Sequence, residues 1–237
     1  MTRRNINIFV ILLVAFPFFY GGGAAAYDAF HPEADPVLEE KGVWSQTIYK
    51  SNSMASTEFR VWFPHPPEKV FELLIDTNRW KEIHSDYTDS RTMNLRQFNL
   101  VLEKKPASVK EFYELVGEES FPSYHGRQKG GVWTSYVFQR LNLPWPLSDR
   151  WFVIKIRNDE SQAFQGEYRY DYKMFTGNGR ELKGYWKLLP VKGKKGWTEF
   201  RGEYKVDPGM QTPQVLGKAI FRASIRRSAK ENLEALE

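Results

Sequence analysis

Residues 167–206 read EYRYDYKMFTGNGRELKGYWKLLPVKGKKGWTEFRGEYKV, and they alternate. Tyr168, Tyr170, Tyr172 and Met174 share one phase, with Glu167, Arg169, Asp171 and Lys173 on the other. Leu182, Gly184, Trp186 and Leu188 repeat this against Glu181, Lys183 and Lys187. Phe200, Gly202, Tyr204 and Val206 repeat it again against Glu199, Arg201, Glu203 and Lys205. A period of two with one apolar phase describes strands that bury one face and wet the other. The breaks, Gly177-Asn178-Gly179 and GKKG at 193–196, are turn chemistry too short for a crossover, so these strands run antiparallel.

Upstream, the same reading predicts strands at 94–103, 110–117, 131–141 and 150–158, with 164–174, 181–190 and 197–207 completing the run. An earlier strand covers 57–63, where Phe59, Val61 and Phe63 point one way. After it, Pro66 or Pro67 suits a first helical turn, and Val70, Phe71, Leu74 and Ile75 form a helical stripe. A second short helix is expected at 79–84, and residues 28–42 read as a polar lead-in with one helical turn. Downstream, Pro208-Gly209 ends the strands. Residues 213–236 then read as one helix, Thr212 serving as cap and Pro213 as first helical residue.

A meander must cover one face, and only the terminal helix is long enough to do so. The expected fold is therefore α+β, a curved antiparallel sheet wrapped around a long C-terminal helix. A space between them follows, and Gly184 and Gly202 on the inward phase are expected to leave room there. The filled-core alternative, with these glycines marking bends, stays open.

The 237 residues contain no cysteine, which excludes disulfides, thiolate metal sites and a cysteine nucleophile. Aromatic residues make up 16% of the chain, enough to line a large apolar interior. The 34 basic residues are interspersed with 29 acidic ones, unlike the concentrated patch of a nucleic-acid module, so none is expected as a partner. Residues 1–26 form their own unit: Arg3 and Arg4, an apolar run from Ile8 to Tyr20, then small residues with Ala24 and Ala26 placed for cleavage before Tyr27. They read as a signal peptide, which makes 27–237 an exported domain, periplasmic or secreted. Anchoring by residues 6–20 is the alternative, weakened by the shortness of the run and by Pro17 within it. Cleavage leaves 32 basic against 29 acidic residues, a net charge of +3.

Several segments resemble START domains, the helix-grip lipid-binding family. Residues 144–153 (PWPLSDRWFV) are the most specific match. Residues 38–43 (LEEKGV), 63–80 (FPHPPEKVFELLIDTNRW), 184–186 and 207–213 are similar to other family segments. Trp151 stands where many members carry aspartate, so that acid's salt-bridging role is absent or moved to Asp149. The resemblance implies a hydrophobic tunnel and binding or transfer of a lipid or other apolar molecule. The wider superfamily includes polyketide cyclases and coenzyme-Q-binding proteins, so a cyclase or aromatase remains the alternative.

Phase then places a guest against Phe152, Ile154, Tyr168, Tyr170, Tyr172 and Trp186 on the sheet and Leu216 and Ile220 on the helix. Arg150 would meet the guest's polar end, pair with an internal acid such as Glu114, or do both. On the terminal helix Leu216, Ala219, Ile220 and Ala223 are expected to face the cavity. Phe221, Ile225, Ala229, Leu233 and Leu236 are expected to pack on the sheet edge or the short helices. His84 and Asp86, two apart, do not face each other on a helix. No catalytic residue, metal or cofactor is expected, and the domain is expected to be a monomer. Lys192, Lys194 and Lys195 at one hairpin tip are either solvated or in transient contact with an anionic membrane.

Overall fold

The computed structural model describes residues 30–49, 54–117, 119–143, 148–210 and 213–237. The expectations of cleavage before Tyr27 and of an anchor at 6–20 lie outside those residues. Within them, eight strands make one antiparallel sheet: β1 (Val43–Tyr49), β2 (Ala55–Phe63), β3 (Tyr87–Met93), β4 (Val132–Leu143), β5 (Ser148–Asp159), β6 (Tyr168–Gly177), β7 (Glu181–Pro190) and β8 (Thr198–Asp207). Their spatial order is β1-β2-β8-β7-β6-β5-β4-β3. From β4 to β8 the chain is a meander. β8 then pairs with β2, setting Phe59 opposite Gly202 and Val61 opposite Phe200.

Among the described residues six α-helices accompany the sheet: α1 (Asp35–Lys41), α2 (Pro67–Ile75), α3 (Trp80–Ile83), α4 (Leu95–Lys104), α5 (Val109–Val116) and α6 (Gln214–Leu236). α1 is longer than the single turn expected, and Gly42 ends it at φ +68°, its N–H bonded to the Leu38 carbonyl. The short helices and α6 stand close to where the sequence places them, with Pro213 at the N-cap of α6 instead of its first helical position; Thr212 lies outside the described residues.

Residues 94–103 and 110–117 are not strands; they form most of α4 and α5. Local chemistry explains the correction. Asn94 and Gln97 make a reciprocal capping box, and the Ser108 hydroxyl accepts from the Glu111 N–H. Phe98, Val101 and Phe112 then sit on one side of the helix pair and pack with Phe138, Trp151 and Val153 on the outer face of β4 and β5. The ring of Phe112 stacks on Phe138 at 4.0 Å. Trp151, in the aspartate's place, is thus a core residue under α5. Asp149 pairs instead with Arg140, through two contacts of 3.0 Å.

The inner face carries the second core. Phe63, Val70, Phe71, Leu188 and Phe200 join α2 to the sheet, and Ile225 and Leu236 bring in α6. Ion pairs fasten the margins. Arg60 on β2 meets Glu199 at 2.6 Å and Asp35 of α1 at 2.7 Å. Arg127 bridges the deeply buried Glu160 and Glu72 of α2.

Candidate ligand-binding cavity

Between the inner face of the sheet and α6 lies a cavity of about 250 Å³. Alternation along the strands decides what reaches it. β5 contributes Phe152 and Ile154, β6 Tyr170 and Tyr172, β7 Leu182 and Trp186, and β8 Phe200, Tyr204 and Val206. Phe59 and Val61 of β2 and Gln139 and Leu141 of β4 extend the wall on either side. Leu74, Trp80, His84 and Tyr87 form another part of it. α6 supplies two rows spaced by four residues: Phe221, Ile225 and Ala229, and beside them Ser224, Ser228 and Asn232.

Trp186 is the hub of the aromatic wall. Its ring stacks on Tyr170 at 4.7 Å, lies 5.7 Å from Trp80, and meets Tyr172 and Phe200 edge-on at 5.5 and 5.4 Å. Gly202 and Gly184 make this crowding possible. Each sits in a cross-strand row between two aromatic side chains, Gly202 between Phe59 and Trp186, Gly184 between Tyr204 and Tyr172. A Cβ on Gly202 would lie 2.2 Å from the Tyr185 carbonyl oxygen and 3.0 Å from Trp186; one on Gly184 would lie 2.8 Å from the Tyr172 hydroxyl. The room expected at these glycines is therefore taken up by their neighbours' rings, and the cavity lies elsewhere.

Electrostatically the site is nearly uncharged. Among the described residues, no Asp, Glu, Lys or Arg lines it. Burial holds the Tyr170 and Tyr172 phenols well above the usual tyrosine range. Burial also lowers the pKa of His84 against the opposing pull of Glu231 and Asp86. Three donors in lining residues are buried without a partner: the Trp80 indole N–H, the Tyr170 hydroxyl and the Gln139 amide nitrogen. Such a wall can hold an apolar body. Among the described residues, no group of three or more His, Asp and Glu side chains is placed to share a metal ion.

A family model for polyketide cyclase/dehydrase and lipid transport matches residues 63–234. The chain belongs to that family. In keeping with this membership, its fold is similar to that of several solved structures. A STAR-related lipid transfer protein from Xanthomonas axonopodis aligns at 14% identity with a TM-score of 0.56, covering 83% of this chain and 94% of that one. The human StarD13 lipid transfer and protein localization domain aligns at 12% identity and TM-score 0.50, covering 85% and 94%. Human STARD10 aligns at 11% and 0.50, covering 81% and 70%. At such identities the likeness speaks for the fold, the helix-grip arrangement of antiparallel sheet and C-terminal helix. No curated protein matches the sequence significantly.

Of the nine residues that the phases pointed to, five meet in the cavity of this family member: Phe152, Ile154, Tyr170, Tyr172 and Trp186. Tyr168 does not; it stacks on Phe71 of α2 at 4.4 Å, in the core beside the cavity. Leu216 and Ile220 do not line it either. α6 is turned the other way, so that Phe221, Ile225 and Ala229 face inward. The reason is that half of the inward face is polar, and apolar periodicity points past it. Arg150 shares the inward phase, standing opposite Leu141, but its guanidinium donates to the Asp149 carbonyl at 3.0 Å and to the Met210 sulfur at 2.9 Å. It is not among the lining residues. Glu114 lies exposed on α5 near Lys110, so the expected Arg150–Glu114 pair is not formed.

His84 and Asp86 have separate partners on α6. Nδ1 of His84 is 3.2 Å from Glu231, whereas Asp86 accepts from Arg227 and, at 3.4 Å, from Ser224. Lys194 is engaged too, 2.9 Å from Glu39 and over the rings of Trp62 and Trp197. Among the residues that phase missed are Trp80, Gln139, Ser224, Ser228 and Asn232. For the last three the i, i+4, i+8 spacing of small polar residues in a charged helix was the available signal.

Proposed function

We propose that the protein is an exported, monomeric binder and carrier of a lipid or comparable apolar small molecule, rather than an enzyme. One observation carries this: a largely apolar cavity with a few buried polar groups, set between the sheet and α6. Family membership supports it. Export rests on Arg3, Arg4, the apolar run and the Ala24-x-Ala26 spacing. Lys192 and Lys195, exposed at their hairpin tip, suit a passing contact with an anionic membrane.

The test is native mass spectrometry of the purified protein, with organic extraction of whatever it carries. An apolar molecule should co-purify or load, and Ala229→Trp should exclude it. The added bulk costs about 1–3 kcal/mol if the helix cannot yield, so melting temperatures are measured alongside. Equal, empty spectra from both proteins after lipid exposure would overturn the reading. N-terminal sequencing of the exported form should begin at Tyr27; an intact Met1 in a membrane fraction would overturn cleavage.

One feature favours acid–base chemistry on a bound carbonyl compound as a second reading. His84 stands in the wall with its Nδ1 3.2 Å from Glu231, an imidazole held in place by a carboxylate. Turnover that His84→Phe abolishes while guest binding persists would establish it.

A further inference from the structure

The outer face of the sheet, opposite the cavity, carries a row of like charges. Lys155 of β5 stands directly across from Lys173 of β6, Lys173 from Lys183 of β7, and Lys183 from Lys205 of β8. The four lysines form one line over neighbouring strands, roughly 14 Å long at a strand spacing of about 4.8 Å. Their outward direction follows from parity, since the residues before them, Ile154, Tyr172, Leu182 and Tyr204, line the cavity. Like charges directly opposite one another destabilise a sheet, so this row opposes folding.

Elsewhere the outer face answers its charges locally. Four residues along the strands, a second row of cations, Arg60, Arg201, Lys187 and Arg169, has a carboxylate within 3.3 Å of every member. The lysine row is matched at one end alone, where Lys183 pairs with Glu181, and Lys205 with Glu203 at 3.0 Å. Among the described residues Lys155 and Lys173 make no ion pair, and both are exposed. The Lys173 ammonium lies 5.8 Å from the centroid of the Phe175 ring, itself 43% exposed.

The shape of this charge decides between anionic partners. The next row along the strands holds Glu58, Glu203 and Asp171, which would repel a broad anionic plane such as a membrane. Strand twist of about 20–25° per step also bends the lysine row away from any plane. Single-stranded nucleic acid is held by a succession of stacking rings, whereas Phe175 is a single exposed one beside the row. A flexible chain of acidic sugars follows the twist, brings a carboxylate at short regular intervals, and has an apolar ring face to lay on Phe175.

We propose that Lys155, Lys173, Lys183 and Lys205 form a track for a linear acidic polysaccharide of the polyuronate type, lying across the outer face of β5 to β8. Cavity guest and polymer occupy opposite faces and do not compete.

The test titrates the full chain with polygalacturonate by calorimetry, with dextran, phosphatidylglycerol vesicles and oligothymidylate as the other probes. Polygalacturonate should bind, more weakly as salt rises, and dextran should not. Lys155→Gln and Lys173→Gln should each weaken binding roughly two- to fivefold, the worth of one exposed ion pair, and together about tenfold. Their melting temperatures should not fall, because each removes a like-charge repulsion. Lys218→Gln with Arg222→Gln removes the same charge from exposed positions of α6 and should leave binding intact. No binding of polygalacturonate at low salt, equal binding of dextran, or equal loss in the α6 double variant overturns the track. Tighter binding of the vesicles or of oligothymidylate than of polygalacturonate overturns the choice of partner.

Discussion

Nδ1 of His84 lies 3.2 Å from Oε2 of Glu231, joining the cavity wall after α3 to the last turns of α6. The other carboxylate oxygen accepts from the Ser85 hydroxyl at 2.6 Å and from its N–H at 3.2 Å. Two residues on, Asp86 meets Arg227 of the same helix. The two pairs fasten α6 over the cavity.

Acid should loosen this fastening. Burial pushes the His84 pKa down despite Glu231 and Asp86. For Glu231, burial acts upward, but the Ser85 donors and His84 outweigh it and hold the carboxyl low. Both groups thus bind protons more readily in the unfolded chain. Their contribution is present above histidine's ordinary value of about 6.5 and is lost as pH falls through it and then through the carboxylate range near about 4.3. The melting temperature should decline over that interval, and His84→Phe should flatten its upper part. An equally steep decline in the variant would refute the assignment.

The core beneath α4 and α5 should be separable from guest binding. Phe112 is fully buried and stacked on Phe138, so Phe112→Ala should cost about 3–5 kcal/mol in urea unfolding. A folded fraction of that variant should still load its guest, because the cavity lies on the opposite face. Loss of uptake without unfolding would show that the two faces are coupled.

Gly202→Ala tests whether space exists under the aromatic wall. The new methyl would meet the Tyr185 carbonyl, Trp186 and Phe59, and the resulting strain should cost about 1–3 kcal/mol. An unchanged melting curve would show that there is room at this position after all.

Much of the architecture was legible because strands β6 to β8 alternate cleanly and because residues 218–236 contain no glycine or proline. α4 and α5 were read as strands although Asn94-x-x-Gln97 and Ser108-x-x-Glu111 spell two helix starts; aromatic and β-branched residues within them masked the three-to-four spacing. β3 (YTDSRTM) went unseen, since a polar edge strand has little apolar phase to detect. In the cavity, the sheet side followed from parity. The helix side did not, because Ser224, Ser228 and Asn232 face inward and break the rule that inward means apolar. Arg150 had the right parity, yet a long side chain can leave the direction its Cβ sets, and here it reaches Met210.

The two faces of β5 carry different duties on interleaved positions. Trp151 and Val153 serve the core under the helices, and Phe152 and Ile154 serve the cavity. Adjacent letters of one strand therefore answer to separate pressures, scaffolding on the odd numbers and cargo on the even. The helical keel beneath lets the cavity wall remain imperfectly filled without forfeiting the fold. Changes at 152 and 154 therefore alter the wall of the cavity as well as the packing around it, whereas changes at 151 and 153 act on the core under α4 and α5 alone.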